Sequence, residues 1–395
     1  MIEQIVIENF KSLRKVGLTL GRLNLFIGTN SSGKSNFFDS LRVLRGIAGG
    51  FAVKEIFEGG DRTLSGEALP GLRGGLANAI YQPSGAAVDG RLEARIRVRL
   101  HTTLGEADYE VAFNNSGAIT RESLRKAGKE IFFFDGLDAY FRISDKMLVP
   151  CFPNPFVGSQ VILGHQDGKA GMHKDFIEAW RQELRSMQFL DPSPEVLRRY
   201  GSAADISRMG ERGENFASLV RYLCADRKKK ESYLSWLREL RPREVEDVTT
   251  LKGAVGEPLF ALKESGREFP SPVLSDGTLR FAAIAAAFFQ SNLPGVLTIE
   301  EIENGIHASR LRLLIELLRT HANIGKTQVL ATTHSPSALA WLKPDEYAAT
   351  FLCTRDEATG ESHIRPLTEL PHFNEVVKHQ PIGELFAEGW LEAAI

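Results

Sequence analysis

The chain has 395 residues, of which 43% are hydrophobic and 25% charged, and a formal net charge of −2. That length allows two or three domains with a sizeable core. The near-neutral charge excludes a global attraction to nucleic acid or acidic membranes, so any such contact must come from a local patch. Three scattered cysteines, Cys151, Cys224 and Cys353, form no CxxC pair, which argues for a reducing compartment and against structural zinc. The longest apolar stretch, around Phe281 to Phe289, falls far short of the ~20 residues that span a bilayer, and the first residues lack a signal-peptide pattern. A cytoplasmic protein with no membrane partner is expected.

The first 48 residues read strand, strand, loop, helix. Leu23-Asn24-Leu25-Phe26-Ile27 is a buried-strand run that feeds into Gly28-Thr29-Asn30-Ser31-Ser32-Gly33-Lys34-Ser35, a complete GxxxxGK[ST] pattern. After it, Phe37, Leu41, Leu44 and Ala48 form the stripe of an amphipathic helix. A strand before and a helix after are what distinguish a phosphate-binding loop from a merely Gly/Ser-rich one. The glycines let the backbone of Asn30, Ser31, Ser32, Gly33, Lys34, Ser35 and Asn36 curl so that N–H groups point at phosphate oxygens, helped by the positive end of the helix dipole. Lys34 then reaches the β- and γ-phosphates and the Ser35 hydroxyl ligates Mg²⁺, so a nucleoside triphosphate with Mg²⁺ is the expected ligand.

Residues 49 to 90 are rich in Gly and small polar residues and predict loops with at most short helices. From there Leu92, Ala94, Ile96, Val98 and Leu100 alternate with charged residues, the period of a half-buried strand. Tyr109 to Phe113, Ala118 to Ile119, Ile131 to Phe134 and Tyr140 to Ile143 continue the pattern and predict an antiparallel sheet. Residues 171 to 240 turn helical, with Phe176, Trp180, Leu184 and Met187 on one face and Phe216, Leu219, Val220 and Leu223 on another. The run Arg227-Lys228-Lys229-Lys230 is either a solvated helix face or a nucleic-acid contact. Strands near Val245 to Thr250 and Leu259 to Leu262 precede a helix after Ser275. Strand Val296 to Ile299, a helix carrying Leu311, Leu314, Ile315 and Leu318, strand Gln328 to Thr332 and strand Tyr347 to Cys353 follow. Strand–helix alternation of this kind implies an α/β fold with a mostly parallel sheet covered on both faces.

Three segments carry chemistry besides the loop. Val296 to Ile299 is an apolar strand that ends in Glu300-Glu301, where one carboxylate can hold Mg²⁺ and a second can polarise water. Otherwise the strand simply ends in solvent. His334 follows the strand Ala331-Thr332-Thr333 and can bond a γ-phosphate or the lytic water, or be a surface histidine; Ser335 behind it caps a helix that begins at Pro336. Leu274-Ser275-Asp276-Gly277-Thr278-Leu279-Arg280-Phe281 opens a helix, and its Ser275 and Gly277 are either an ordinary cap or a second anion-binding helix start.

In this order the motifs resemble an ABC-type ATPase head. Ile7-Glu8-Asn9-Phe10-Lys11-Ser12-Leu13 and the loop through Asn36 are similar to the RecF, SMC and OLD branch. Glu300-Glu301-Ile302-Glu303-Asn304-Gly305-Ile306-His307 resembles the EEPENGLHP segment of the compact AAA-family ATPases of that branch, without coiled coil or fused nuclease. Thr359-Gly360, Ile382-Gly383-Glu384-Leu385-Phe386 and Gly389 also fit that subgroup.

The resemblance implies ATP hydrolysis. It makes Lys34 and Ser35 the phosphate and Mg²⁺ contacts, Glu300 the second metal-facing group, Glu301 the catalytic carboxylate and His334 the γ-phosphate sensor. Ser275 and Gly277 become signature residues that grip the nucleotide of a second copy, in a homodimer or higher homo-oligomer stacked head to tail with ATP between the heads, and Asn304 lies on the loop crossing that interface. There are departures. Glu300 replaces the commoner Asp and has the reach for a water-mediated metal contact, while Ile302 and Ala308 stand where the family usually has Pro, which predicts a less rigid crossing loop. Gln160 and Gln188 both remain candidates for the glutamine that links nucleotide to lobe.

The expected division is an N-terminal ATPase lobe with the antiparallel sheet at 1–150, a helical lobe at 151–245 and a C-terminal ATPase lobe at 246–395. The segment between Lys34 and Leu274 is too short and irregular for an SMC coiled coil and too long for a typical transporter subunit. No NKxD-like motif marks a GTPase, and too little chain follows His334 for a fused nuclease. Two functions remain: an ATPase that senses or clamps duplex DNA, in repair or phage defence, with a separately encoded effector; or an ATP-dependent scaffold that holds a protein partner and never touches DNA.

Overall fold

The computed structural model describes residues 1–64, 67–82, 92–144, 147–150, 173–204, 206, 208–325 and 327–394. Cys151 and Gln160 lie outside them. The chain forms two compact units, Met1–Met187 with Ala348–Pro371, and Gln188–Tyr347 with His372–Ala394. Among the described residues no helix is long and apolar enough to cross a membrane.

The first unit holds an eight-stranded antiparallel sheet. The hairpin of Ile2–Phe10 and Leu13–Thr19 sets its first strand beside Glu93–Thr102. A meander through Gly105–Asn114, Ile119–Lys126, Lys129–Phe134, Ala139–Ser144 and Met147–Pro150 completes the sheet. Alternation builds it: Ala94, Ile96, Val98 and Leu100 are buried on one face, where Trp180 of helix Lys174–Arg185 packs on Tyr109 with ring centroids 5.9 Å apart. The arginines of the other face are paired, Arg97 with Glu8 at 3.0 Å, Arg99 with Asp108 at 2.8 Å and Arg121 with Glu110 at 2.9 Å.

Leu23–Ile27 is buried at every position and runs parallel to Thr350–Arg355, whose other edge carries antiparallel Ser362–Pro366. The phosphate loop follows it and leads into helix Lys34–Ala48. Phe26 meets Phe37 at 4.6 Å, Phe38 at 5.4 Å and Phe351 at 5.0 Å, so the strand and helix that flank the loop share one aromatic cluster.

In the second unit Gln188–Leu190, Val296–Ile299 and Gln328–Thr333 form a parallel ladder in which every position is buried, as a sheet covered on both faces requires. Helices Asp276–Ala287 and Ala308–Ile324 belong to this unit, the second burying the expected Leu311, Leu314, Ile315 and Leu318. Val245–Lys252, Pro258–Glu264 and Arg267–Pro270 form a separate antiparallel meander. The helical lobe contributes Phe216–Ala225 and Arg227–Leu240; the basic run is the first turn of the latter, capped by Asp226, which accepts from the N–H groups of Lys228 and Lys229. Parallel core strands, an antiparallel sheet and a helical lobe are the P-loop ATPase-head architecture that the motif order implied.

Candidate active site

In the first unit the phosphate loop turns through left-handed backbone at Ser31 (φ 66°) and Gly33 (φ 106°). A Cβ on Gly33 would lie 2.4 Å from Ser362 Oγ, so this position excludes a side chain as well as an ordinary φ. Ser362 Oγ is 2.7 Å from Ser12 Oγ, which in turn accepts from Asn36 Nδ2 at 2.6 Å. Asn36 thereby ties the first turn of helix Lys34–Ala48 to the Asn9–Leu13 turn. Lys34 is buried, and its Nζ donates to the carbonyls of Gly28 and Thr29 at 2.8 Å each and to Ser32 Oγ at 3.3 Å. Thr29, Asn30 and Ser31 are exposed and Ser35 is half-buried.

The helix that begins here has no side-chain cap and no acidic residue in its first turn. Its first-turn N–H groups and positive end, beside a buried ammonium, suit phosphate oxygens. Burial pushes the thiol of nearby Cys353 up to about 12 against the pull of Lys34, and that of Cys224 up to about 11, so neither acts as a nucleophile near neutral pH.

In the second unit Val296–Ile299 delivers Glu300 and Glu301, both half-buried. Glu301 itself is left-handed (φ 47°), a conformation a non-glycine residue keeps only when its surroundings hold it. They do. Its N–H donates to Thr332 Oγ1 at 2.7 Å, and the next N–H, of Ile302, donates to the Thr332 carbonyl at 3.0 Å. Asn304 Nδ2 donates to Glu301 Oε2, and His334 Nε2 lies 3.7 Å from Glu301 Oε1. Glu301, Asn304 and His334 are therefore brought together. The loop is tethered at Ile302 by a backbone donor that a proline there would lack. Ser335 does not cap with its side chain; its N–H donates to Thr333 Oγ1 at 3.0 Å.

Ser275 is the N-cap of helix Asp276–Ala287, its Oγ accepting from the Thr278 N–H at 3.3 Å. A Cβ on Gly277 would sit 2.4 Å from the Gly305 carbonyl oxygen, so the glycine lets this helix start lie against the backbone of the loop that follows Glu301. Ser275 and Gly277 line a cleft of about 470 Å³ together with Arg241, His307 and Arg310.

Arg280 was missed by sequence reasoning. Buried in the same helix, it donates through Nη2 to the carbonyls of Glu300 and Glu301 at 2.7 and 3.0 Å, and through Nη1 to Pro192 O at 2.7 Å and Asp191 at 3.1 Å. Its one signal was a charge inside an otherwise apolar run. Gln188 is buried, donating to Met209 O at 2.7 Å and accepting from Gln290 at 2.8 Å, so its amide is already engaged in the core.

A phosphate loop set between a core strand and an uncapped helix, an acidic strand end with its histidine, and a serine–glycine helix start define a P-loop ATPase of the ABC-head class. Residues 23–340 match the family described as "AAA domain, putative AbiEii toxin, Type IV TA system". That match covers well over half of the sequence, and the chain belongs to this AAA domain family. It is similar to an ATP/GTP phosphatase of Helicobacter pylori (strain ATCC 700392 / 26695), 22% identical over 352 residues, 85% of each chain.

Its fold is similar to that of an Smc head bound to the C-terminal winged-helix domain of ScpA, with a TM-score of 0.54 and 12% identity over 93% of this chain and 98% of that one. A second Smc head, with an extended coiled coil and bound to the C-terminal domain of ScpA derived from Pyrococcus furiosus, gives a TM-score of 0.53 and 10% identity over 95% and 99%. The chain is thus an ATPase of the AAA domain kind on an SMC-head fold.

Proposed function

We propose that the chain binds ATP on the Asn30–Asn36 loop and hydrolyses it with Glu301 as the general base, pairing head to tail with a second copy as it does so. The reading rests above all on Glu301, whose carboxylate is fixed by Asn304 on one oxygen and faces His334 at 3.7 Å on the other. A carboxylate held this way takes a proton from a water in a defined direction, and a histidine beside it can bond the γ-phosphate or that water. Lys34 and the loop N–H groups hold the phosphates. The hard oxygens of Ser35 and Glu300 suit Mg²⁺, which when bound neutralises charge on the β- and γ-phosphates. Ser275 and Gly277, which line the cleft of about 470 Å³, are assigned to the nucleotide of the second copy.

The finer role we propose is a DNA-associated sensor or clamp that acts with a separately encoded effector. The separate effector draws on the family's description, which names a toxin of a toxin–antitoxin system, and on the similarity to heads that bind ScpA, a protein. Exposed Arg227 and Lys228, unpaired among the described residues, are the assigned phosphate contacts.

Lys34→Ala is expected to abolish ATP binding. Glu301→Gln should bind ATP with near-normal affinity, turn over about 10²-fold or more slowly and accumulate paired heads. Isothermal titration with single-turnover hydrolysis checks both, and wild-type turnover by Glu301→Gln would refute the assignment.

A further inference from the structure

Two loops meet at the hydrolytic centre of the second unit, and one side chain joins them in a way that the motif roles leave unused. The Glu301–Asn304 loop is fastened to the end of strand Gln328–Thr333 by three hydrogen bonds. Two use the backbone N–H groups of Glu301 and Ile302, both to Thr332. The third runs the other way: the His334 N–H donates to Glu303 Oε1 at 2.5 Å. That N–H sits where the strand has just ended, and the carboxylate gives it a side-chain acceptor from the neighbouring loop. Glu303 Oε2 is buried and has no hydrogen-bond partner among the described residues. A half-buried carboxylate with one oxygen unsatisfied is costly to keep for packing alone.

We infer that Glu303 is a positioning residue for ATP hydrolysis: it fixes the His334 backbone so that the imidazole stays opposite Glu301. This inference rests on the catalytic reading of Glu301 and His334. Asn304 holds Glu301 from the loop side and Glu303 holds His334 from the same loop, so the 3.7 Å separation is set by adjacent residues of one short segment. Removing Glu303 takes away the contact that ties His334 to the Glu301–Asn304 loop and lets the ring shift relative to Glu301. Small displacements of this kind at a reacting centre cost up to about 10²-fold in rate.

The test is a double-mutant cycle in steady-state ATP hydrolysis with Glu303→Ala, His334→Ala and the pair, plus Glu303→Gln, whose amide oxygen still accepts from the His334 N–H. Glu303→Ala is expected to lower kcat about 10- to 100-fold with KM for ATP nearly unchanged, and Glu303→Gln to recover most of that loss. In the His334→Ala background, Glu303→Ala should change kcat little, because the group it positions is already gone. Equal losses from Glu303→Ala in both backgrounds, or no loss in either, would overturn the inference and assign Glu303 to packing. Should Glu303→Ala fold poorly, failure of Glu303→Gln to keep kcat within about threefold of wild type would overturn it as well. Glu301→Gln run alongside separates the two levels: if that variant turns over like wild type, the catalytic reading falls and the positioning role falls with it.

Discussion

The Ile302 position carries a backbone constraint that every residue except proline can meet. Its N–H bonds the Thr332 carbonyl at 3.0 Å, and the residue before it, Glu301, stands at φ 47°. Proline at this position removes that donor and pushes the preceding residue toward extended backbone. Ile302→Pro is therefore expected to lower kcat by about tenfold or more while ATP affinity stays close to wild type, because the phosphate loop is untouched. Hydrolysis rates and ATP titrations on the same preparation check this. Unchanged kcat would mean that the Thr332 contacts do not hold Glu301 in its working conformation. The roles proposed for Lys34, Ser35 and Glu301 come from residue type and spacing. The groups that hold Glu301 and His334, namely Thr332, Arg280 and Glu303, were not legible in this way, since an ordinary Thr, Glu or Arg gives no local sign of which backbone group it will meet.

Between elements, the ring of His321, on helix Ala308–Ile324, makes a cluster of aromatic contacts outside the site. It stacks on Phe288 with centroids 4.5 Å apart and lies edge-on to Phe289 at 5.2 Å, with Trp236 of helix Arg227–Leu240 at 6.1 Å. Burial pushes its pKa down to about 4 from the ordinary 6.5, so the folded chain keeps the ring neutral where the unfolded chain protonates it. Between those values the unfolded state binds more protons, and stability falls as pH drops from about 6.5 toward 4. His321→Phe keeps an aromatic ring and removes the titration, so its melting temperature should lose less over that window than wild type; parallel losses would show that the histidine does not set the acid limit.

The longer helices and strands were readable from period, but the short strands Gln188–Leu190, inside a stretch expected to be helical, and Ser362–Pro366 were not, and element ends were less so. The helix carrying Trp180 stops at Arg185, before Met187, and the strand expected from Tyr347 begins at Thr350 because Pro344–Ala349 forms a 3₁₀ turn. End positions follow from tertiary contacts more than from local preference.

For the whole molecule, a net charge of −2 conceals an uneven distribution. Arg97, Arg99 and Arg121 of the antiparallel sheet are neutralised by carboxylates beside them, whereas Arg227 and Lys228 face solvent at the start of a helix, where its dipole disfavours cations. If those two contact DNA phosphates, linear duplex DNA should raise ATP hydrolysis at low salt, and the effect should fade as salt rises. The Arg227→Glu/Lys228→Glu variant should lose the stimulation and keep the basal rate. Equal rates with and without DNA at every salt concentration would favour a protein partner as the activator.

The amino-acid sequence by itself determined the phosphate loop, the kinds of element and the chemical identity of the catalytic candidates, because each is encoded within a few neighbouring residues. Period two or 3.6 is a local property, and so is a glycine-rich turn ending in Gly-Lys-Ser. Tertiary structure decided which groups hold those candidates in place: Thr332 and Glu303 around Glu301 and His334, Arg280 beneath the carbonyls of Glu300 and Glu301, Gln290 on Gln188, and Gly305 against Gly277. Several of these pairs lie tens of residues apart, so their partners depend on how the strands and helices pack, which no local pattern records.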